Sequence, residues 1–288
     1  MLLGLLPHVN SAMIVSEMPI AAQQPSDHRS VNAVNKERPG RLIINADDWG
    51  RDQNTTDRTL ACVERGALSS VSAMVFMEDS ERAASIARER KIDSGLHLNL
   101  TLAFSQAGTS RDLLKHQQRV SQYLRRHRLG HVVFHPGLKK SFAYVVDAQL
   151  EEFERLYGKK PGRIDGHHHA HLCANVVFGR LLPEGTILRR NFSFERGEKS
   201  FLNRLYRKII DRTISRRHRL ADFFYSLPPL EPQERLQKIF RLAEQSFVEV
   251  ETHPVCQDEY HFLAEGEIFR WTANVTIAHS YVVAERGI

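Results

Sequence analysis

Residues 42–50 read LIINADDWG, a short apolar run that ends in two adjacent aspartates. An apolar run of this length that stops at polar residues is typical of a buried strand leading into a loop. A helix-like segment follows at 53–65, and Gly66 is a suitable residue to end it. The ordered part of the chain is therefore predicted to open with a strand and a helix, with both carboxylates at the C-terminal end of the strand.

The same alternation continues along the chain. Further strand-like runs lie at 71–76, 95–101, 163–165, 186–188, 223–226 and 247–252, and the longer helical stretches at 80–90, 141–157, 200–213 and 232–245. Strands that alternate with helices indicate a parallel sheet with helical crossovers. We expect an α/β fold, a distorted or incomplete (β/α) barrel, with a doubly wound open sheet as the alternative. Both folds place the active site at the C-terminal ends of the strands.

The chain of 288 residues, 42% of them hydrophobic, is long enough for one large core. Residues 1–39 are polar and rich in turn residues, without helical or strand periodicity, which predicts an irregular extension. Residues 40–288 are predicted to form a single domain. The alternation of strands and helices is interrupted at 103–140, where we expect an insertion that covers one end of the fold.

The formal net charge is +6, and basic clusters lie at 125–128, 204–208 and 216–219. They carry no nucleic-acid motif and no interleaved aromatic residues, so we interpret them as solvated helix surfaces and predict no nucleic-acid partner. No apolar stretch reaches the roughly 18 residues that a membrane span requires. A homodimer remains possible.

The cysteines and the absence of several motifs limit the function further. Cys62, Cys173 and Cys256 form no C-x-x-C pair, which argues against a disulfide framework and favours a reducing compartment, the cytoplasm. The sequence has no G-x-S-x-G elbow, no dinucleotide-binding or Walker loop and no H-E-x-x-H helix. Serine hydrolases, nucleotide-binding enzymes and helix-based zinc proteases are therefore disfavoured.

Two polar positions follow or lie within predicted strands. Asp47 and Asp48 are too close for both to ionise easily in a buried site, unless a cation neutralises them. With a bound divalent metal, one carboxylate would ligate while its neighbour takes a proton from water. His97 shares one side of its strand with Asn99 and Thr101.

Histidines mark two more strand ends. Residues 165–171 read DGHHHAH, with four imidazoles in five residues, and imidazole is a preferred ligand of zinc and similar ions. Neighbouring side chains diverge, so we expect one or two to ligate and the others to support them or contact substrate. His253 follows the last apolar run, where it would act as a general acid or bind a product carboxylate.

These motifs, in this order, resemble those of the YdjC-like carbohydrate deacetylases, which include chitooligosaccharide deacetylases and hopanoid-biosynthesis-associated members. The segments at 42–50, 95–101, 164–172 and 251–254 match the family's Ala-Asp-Asp-Phe-Gly opening, its second motif, its Asp-Ser-His-His-His-Val-His block and its His-Pro-Gly segment. Three positions depart from the family pattern: Trp49 stands for Phe, Gly166 for Ser and Val255 for Gly.

The resemblance implies a barrel of the glycoside hydrolase/deacetylase type and one divalent metal ion, Mg²⁺ or Zn²⁺. It implies Asp48, His97 and His167 as metal ligands, Asp47 as the general base and His253 as a candidate acid. The implied substrate is an N-acetylated sugar or short oligosaccharide. The side chains predicted to contact it are Trp49, Asn99, His169 and His171.

Two other functions stay open. One is a non-catalytic glycan- or metal-binding protein on the same fold, because fold alone does not fix function. The other is a metal-dependent hydrolase that cleaves a different sugar-linked bond. The paired Asp47 and Asp48 favour catalysis over simple binding, since binding alone needs no base beside the metal.

Overall fold

The computed structural model describes residues 40–126, 129–194, 198–272 and 275–281, and the extension predicted for residues 1–39 lies outside them. Its strands are β1 (Arg41–Trp49), β2 (Ser70–Ala73), β3 (Ser94–Leu98), β4 (Arg163–Gly166), β5 (Ile187–Leu188), β6 (Phe223–Ser226) and β7 (Phe247–Thr252). Its helices are α1 (Gln53–Glu64), α2 (Ser80–Glu89), α3 (Arg111–Arg126), α4 (Lys139–Tyr157), α5 (Ala174–Gly179), α6 (Phe201–Ile214), α7 (Gln233–Leu242), α8 (Gln257–Ala264) and α9 (Ile268–Trp271).

The seven strands form one parallel sheet in the order β5-β4-β3-β2-β1-β7-β6. The sheet curves toward closure, because an isolated parallel bridge joins Ile187 to Arg219, just before β6. Next to it, the Ser193 N–H donates to the Phe224 carbonyl at 2.8 Å. The predicted incomplete (β/α) barrel is confirmed, and the open doubly wound sheet is not observed.

Strand β1 lies inside this sheet, between β2 and β7, and is buried along almost its whole length. Residues 42–50 are all buried, because β2 covers one edge of the strand and β7 the other. Leu42, Ile44 and Ala46 pack in the main core, and Ile43 packs on the other side of the strand with Ile187 and Tyr281, which explains the near-continuous apolar run. The strand therefore holds its C-terminal aspartates in a rigid setting.

The segment predicted as an insertion contains α3 and a short 3₁₀ helix at Pro136–Leu138. Helix α3 packs against α4, and its Gln117 side chain donates to the Leu102 carbonyl at 2.6 Å. The Ser121 hydroxyl donates to the Thr101 carbonyl at 2.7 Å. These bonds hold α3 over the chain that leaves β3, on the side of the sheet that carries the site.

Within the described residues, no helix is long and apolar enough to cross a membrane. Cys62, Cys173 and Cys256 are all free thiols.

Gly95 lets a long side chain lie across β3. A Cβ atom at this position would come within 2.8 Å of the Arg163 guanidinium carbon and 2.9 Å of the Arg163 carbonyl oxygen. That guanidinium is buried and donates to Ser72, Asp165 and the Val71 carbonyl. Gly95 thus gives Arg163 access to the groups under the site.

We predict that Gly95→Ala lowers the free energy of unfolding by about 1–3 kcal/mol, because overpacking displaces Arg163 or the β3 backbone. Chemical denaturation measures the loss. Gly162→Ala is the matched control, since a Cβ there meets nothing within 4 Å. Equal stability of the two variants would show that Arg163 moves aside without cost.

Candidate active site

The two aspartates of β1 lie at an irregularity in the strand. The pairing of β1 with β2 shifts register between Ala46 and Trp49, and Asp48 adopts a positive φ of 65°. A non-glycine residue in this left-handed region is strained, and such residues concentrate at functional sites. The irregularity leaves both carboxylates buried, with 2% of each residue exposed.

Asp48, His97 and His167 come together as predicted from the sequence. Each offers one ligand atom, and these atoms lie within 4.8 Å of one another. The Asp48 Oδ1 atom lies 3.0 Å from His167 Nδ1 and 3.3 Å from His97 Nε2. Strands β1 and β3 and the turn after β4 thus each supply one candidate ligand at the same edge of the sheet.

The His97 ring has one satisfied and one unsatisfied nitrogen. Its Nδ1 lies 2.7 Å from Asp165 Oδ1, its neighbour across the β3–β4 pair. Its Nε2 is buried and has no hydrogen-bond partner among the described residues. A carboxylate behind an imidazole whose other nitrogen is free is the usual support of a metal-binding histidine. The donor set therefore fits a divalent metal ion.

The charges around His97 are strongly anionic. Burial opposes protonation of the ring, but the carboxylates of Asp47 and Asp165 outweigh it and raise the His97 pKa to about 10. Burial also opposes ionisation of Asp48, yet the hydrogen bond to His167 and the nearby charge of His97 hold its pKa far below the usual range. This pocket favours positive charge at its centre, which a bound cation supplies.

Asp47 is held by Arg189, a residue that the sequence analysis missed. The Arg189 guanidinium donates to both carboxylate oxygens of Asp47, at 2.6 and 2.8 Å. Asn45 adds a third donor, 2.8 Å from Oδ1. Burial opposes ionisation of Asp47, but the Arg189 charge lowers its pKa below the usual range. Asp47 is therefore an oriented, ionised carboxylate beside the three candidate ligands.

Arg189 also neutralises three other carboxylates. It contacts Asp165 at 3.1 Å, Glu249 at 2.7 Å and Glu251 at 3.1 Å, with only 1% of its side chain exposed. Burial and the nearby charge of Asp47 nevertheless raise the pKa of Glu251 well above its ordinary value. One guanidinium thus connects β1, β4 and β7 below the site.

The histidine block turns sharply after β4. His168 and His169 both have φ values of 53°, which direct successive imidazoles apart. His169 is a third exposed, lies 3.9 Å from Glu251 and packs edge-on against Phe192 at 4.6 Å between ring centroids. Of the four residues predicted to contact substrate, His169 has the exposure that this role requires.

The structure does not support Trp49, Asn99 and His171 as substrate contacts, because each is completely buried. The Trp49 indole donates to the Ala83 carbonyl at 3.2 Å, and His171 Nε2 bonds to the Arg189 carbonyl at 2.9 Å. The Asn99 side chain bonds the backbone of Thr101 and Leu102. These three residues shape the walls behind the site.

Gly166 stands where the family pattern has serine, at a position with little room for a side chain. A Cβ there would lie 3.0 Å from the His171 backbone nitrogen, the His171 ring and the Leu98 carbonyl. The buried His171 therefore packs directly on the Gly166 backbone in this chain. This contact fixes the start of the histidine block.

His253 follows β7 and is half-buried. Its backbone N–H donates to Glu259 Oε2 at 2.8 Å, and the preceding Thr252 pairs with Ala46 on β1. The prediction of His253 as the acid is thus compatible with its position in the sheet, one strand from Asp47, and it stays a prediction.

The chain is similar to a known protein family and to several named deacetylases. A family model described as YdjC-like protein matches residues 41–275. The carbohydrate deacetylase of Clostridium beijerinckii is 27% identical, over 74% of this chain and 81% of that protein. The chitooligosaccharide deacetylase of an Enterobacter strain is 26% identical, over 85% and 95%. The mouse carbohydrate deacetylase is 30% identical, but this match spans about half of either chain, 54% and 52%.

A solved Enterococcus faecalis structure, described as a proposed cellobiose-phosphate cleavage protein, has the same fold. It superposes with a TM-score of 0.58 at 18% identity, over 83% of this chain and 97% of that one. At this level of identity the likeness concerns the fold alone.

We predict that Arg189→Met lowers the free energy of unfolding by about 3–5 kcal/mol or more, because it leaves buried carboxylates without their counter-charge. Chemical denaturation at neutral pH measures the change. Arg155→Met is the matched control, since Arg155 pairs with Glu81 and Glu152 at a half-exposed position. We expect that control to cost less than about 1 kcal/mol.

If Arg189→Met were as stable as the control, the carboxylates around Arg189 would not depend on its charge. In that case the pairing of Asp47 with Arg189 would not explain why Asp47 is ionised.

Proposed function

This chain is a member of the YdjC-like protein family, and we propose that it is a metal-dependent hydrolase that removes acetyl groups from N-acetylated sugars or oligosaccharides. One observation carries the proposal: Asp48, His97 and His167 can share one ion, with the ionised carboxylate of Asp47 beside them. The names of the relatives, carbohydrate and chitooligosaccharide deacetylases, suggest the substrate class.

We propose Asp48, His97 and His167 as the metal ligands, with Asp165 orienting His97 from behind. Two imidazoles and one carboxylate are donors typical of zinc sites, whereas magnesium prefers oxygen ligands and retained waters. The donor set therefore favours Zn²⁺ or a similar borderline ion over Mg²⁺. When bound, the ion would act as a Lewis acid and lower the pKa of a water molecule.

We propose Asp47 as the base that takes a proton from the attacking water. Its carboxylate has about four lone-pair positions, and the three donors from Arg189 and Asn45 leave one of them on Oδ2. The two-pronged contact with Arg189 fixes the direction of that position. A base held in this way spends no energy on reorientation during the reaction.

We propose His253 as the acid that protonates the leaving amine. The strand before it pairs with β1 up to Ala46, next to Asp47, so an acid and a base on neighbouring strands would face the same substrate. The exposed part of His169, beside Phe192, is the proposed contact for the sugar ring. A reducing compartment, the cytoplasm, and a possible homodimer remain predictions.

The first test is acetate release from a panel of N-acetylated mono- and oligosaccharides, with added zinc, magnesium or neither. We expect Asp47→Asn to reduce turnover about 100-fold or more, because an amide cannot accept the proton. Bound metal, measured by elemental analysis, should stay near one ion per chain in this variant. His97→Ala should lose both metal and activity.

Asp57→Asn provides the matched control, because it makes the same chemical change at an exposed carboxylate that pairs with Arg82. It should retain full activity. Full activity of Asp47→Asn would refute the assignment of the base. Stoichiometric metal without acetate release from any substrate would favour the non-catalytic alternative or a hydrolase of another sugar-linked bond, which the same panel detects by its products.

A further inference from the structure

Helix α6 exposes an unusual amount of apolar surface. Phe201 is 69% exposed, Leu202 75%, Leu205 42% and Ile209 51%. Phe201 and Leu202 are the two most exposed large apolar residues in the described part of the chain. Phe201, Leu205 and Ile209 recur every four residues, so they lie in one row along the helix.

The same exposed side of α6 carries positive charge. Lys208 and Arg212 are exposed, are also four residues apart, and lie in the row next to Leu205 and Ile209. Asp211, the one acidic residue of α6, is turned toward the protein, where it pairs with Arg190 at 3.1 Å and bonds Asn191. The outward surface of α6 therefore combines large apolar residues with lysine and arginine and has no carboxylate.

The opposite side of α6 holds the helix on the protein. Ile210 is 1% exposed and Ile214 is 4% exposed, and both belong to the main core. Arg207 lies over the Phe194 ring at 5.0 Å, which links α6 to the segment that precedes it. The apolar row of α6 therefore lies on a helix whose other side is already packed against the core.

A cavity of about 410 Å³ beside the C-terminal end of α6 also carries positive charge. Its walls include Leu188 and Ile214, and its lining includes Arg180, Arg216 and Arg217 against the single carboxylate of Glu184. Arg217 pairs with Glu184 at 3.3 Å, which leaves an excess of positive charge beside the helix.

We propose that α6 is a docking surface for an anionic lipid membrane, on which the helix lies parallel to the bilayer. An interfacial helix inserts apolar side chains at the level of the lipid headgroups and pairs its cations with anionic lipids. Phe201, Leu202, Leu205 and Ile209 supply the apolar part, and Lys208 and Arg212 supply the charge.

A membrane fits this surface better than a second copy of the chain or a nucleic acid. In a two-fold dimer the same surface meets itself, so Lys208 and Arg212 would face like charges without a carboxylate to offset them. A nucleic acid would satisfy the cations, but its phosphates would leave the aliphatic Leu202, Leu205 and Ile209 exposed to water. An anionic bilayer satisfies both groups at once.

The test is co-sedimentation of the full chain with vesicles of phosphatidylcholine alone or mixed equally with phosphatidylglycerol. We expect binding to the anionic vesicles, weakened when salt rises from about 0.1 to about 0.5 M. Lys208→Glu with Arg212→Glu should weaken vesicle binding about 30-fold or more, because each lost basic residue contributes about 1 kcal/mol at an anionic surface and the new glutamates are repelled by it. Leu202→Gln with Ile209→Gln should also weaken it.

Matched controls separate the helix from overall charge and hydrophobicity. Lys115→Glu with Arg119→Glu makes the same change in net charge on exposed positions of α3, and Val132→Gln with Val133→Gln removes exposed apolar residues elsewhere. Both should bind vesicles as the unchanged protein does. Thermal unfolding and acetate release report whether each variant is folded, independently of vesicle binding.

The proposal is wrong if the α6 variants bind anionic vesicles as tightly as the controls do. It is also wrong if the unchanged protein does not bind the anionic vesicles. If light scattering then shows a dimer that the α6 variants lose, the surface is assigned to another copy of the chain.

Discussion

The site depends on one constraint: several carboxylates must stay ionised inside the protein core. Asp47, Asp48 and Asp165 are each almost fully buried, and isolated charges of this kind are very unfavourable in a medium of low polarity. Arg189 resolves the conflict by contacting all of them except Asp48, which the two histidines and Arg51 serve instead. The barrel can therefore bring acidic strand ends together without losing their charge.

This arrangement separates the two aspartates of β1 into different chemical environments. Asp47 has its counter-charge from within the protein, so a metal ion is not needed to keep it ionised. Asp48 pairs with Arg51 through Oδ2, whereas its Oδ1 atom faces His97 and His167, whose nitrogen atoms need a cation or a proton between them. The two adjacent aspartates thus differ in the groups that neutralise them, and both lie where the register of β1 shifts.

The sequence predicted the fold well because the periodicity of its strands and helices is strong and local. It also indicated the candidate ligands Asp48, His97 and His167, which the structure brings together because each lies at a strand end. Arg189 could not be predicted, because the sequence does not distinguish it from its less buried neighbour Arg190. Its four partners lie on β1, β4 and β7, which come together only in the fold. Trp49 was predicted to contact substrate, but its side chain is buried. Its burial accompanies a register shift in β1 that no sequence pattern reveals.

The distribution of charge in the molecule bears on which substrates the site accepts. The chain carries a net charge of +6, yet the interior of the site is rich in carboxylates, so the positive excess lies on outer surfaces such as that of α6. Buried carboxylates around the site disfavour an anionic sugar and do not oppose a neutral N-acetyl sugar. The same field stabilises an ammonium group over a neutral amine at the mouth. The cations on α6 and the buried carboxylates of the site can therefore serve one enzyme. An anionic membrane would contact α6, whereas a neutral sugar would contact the site.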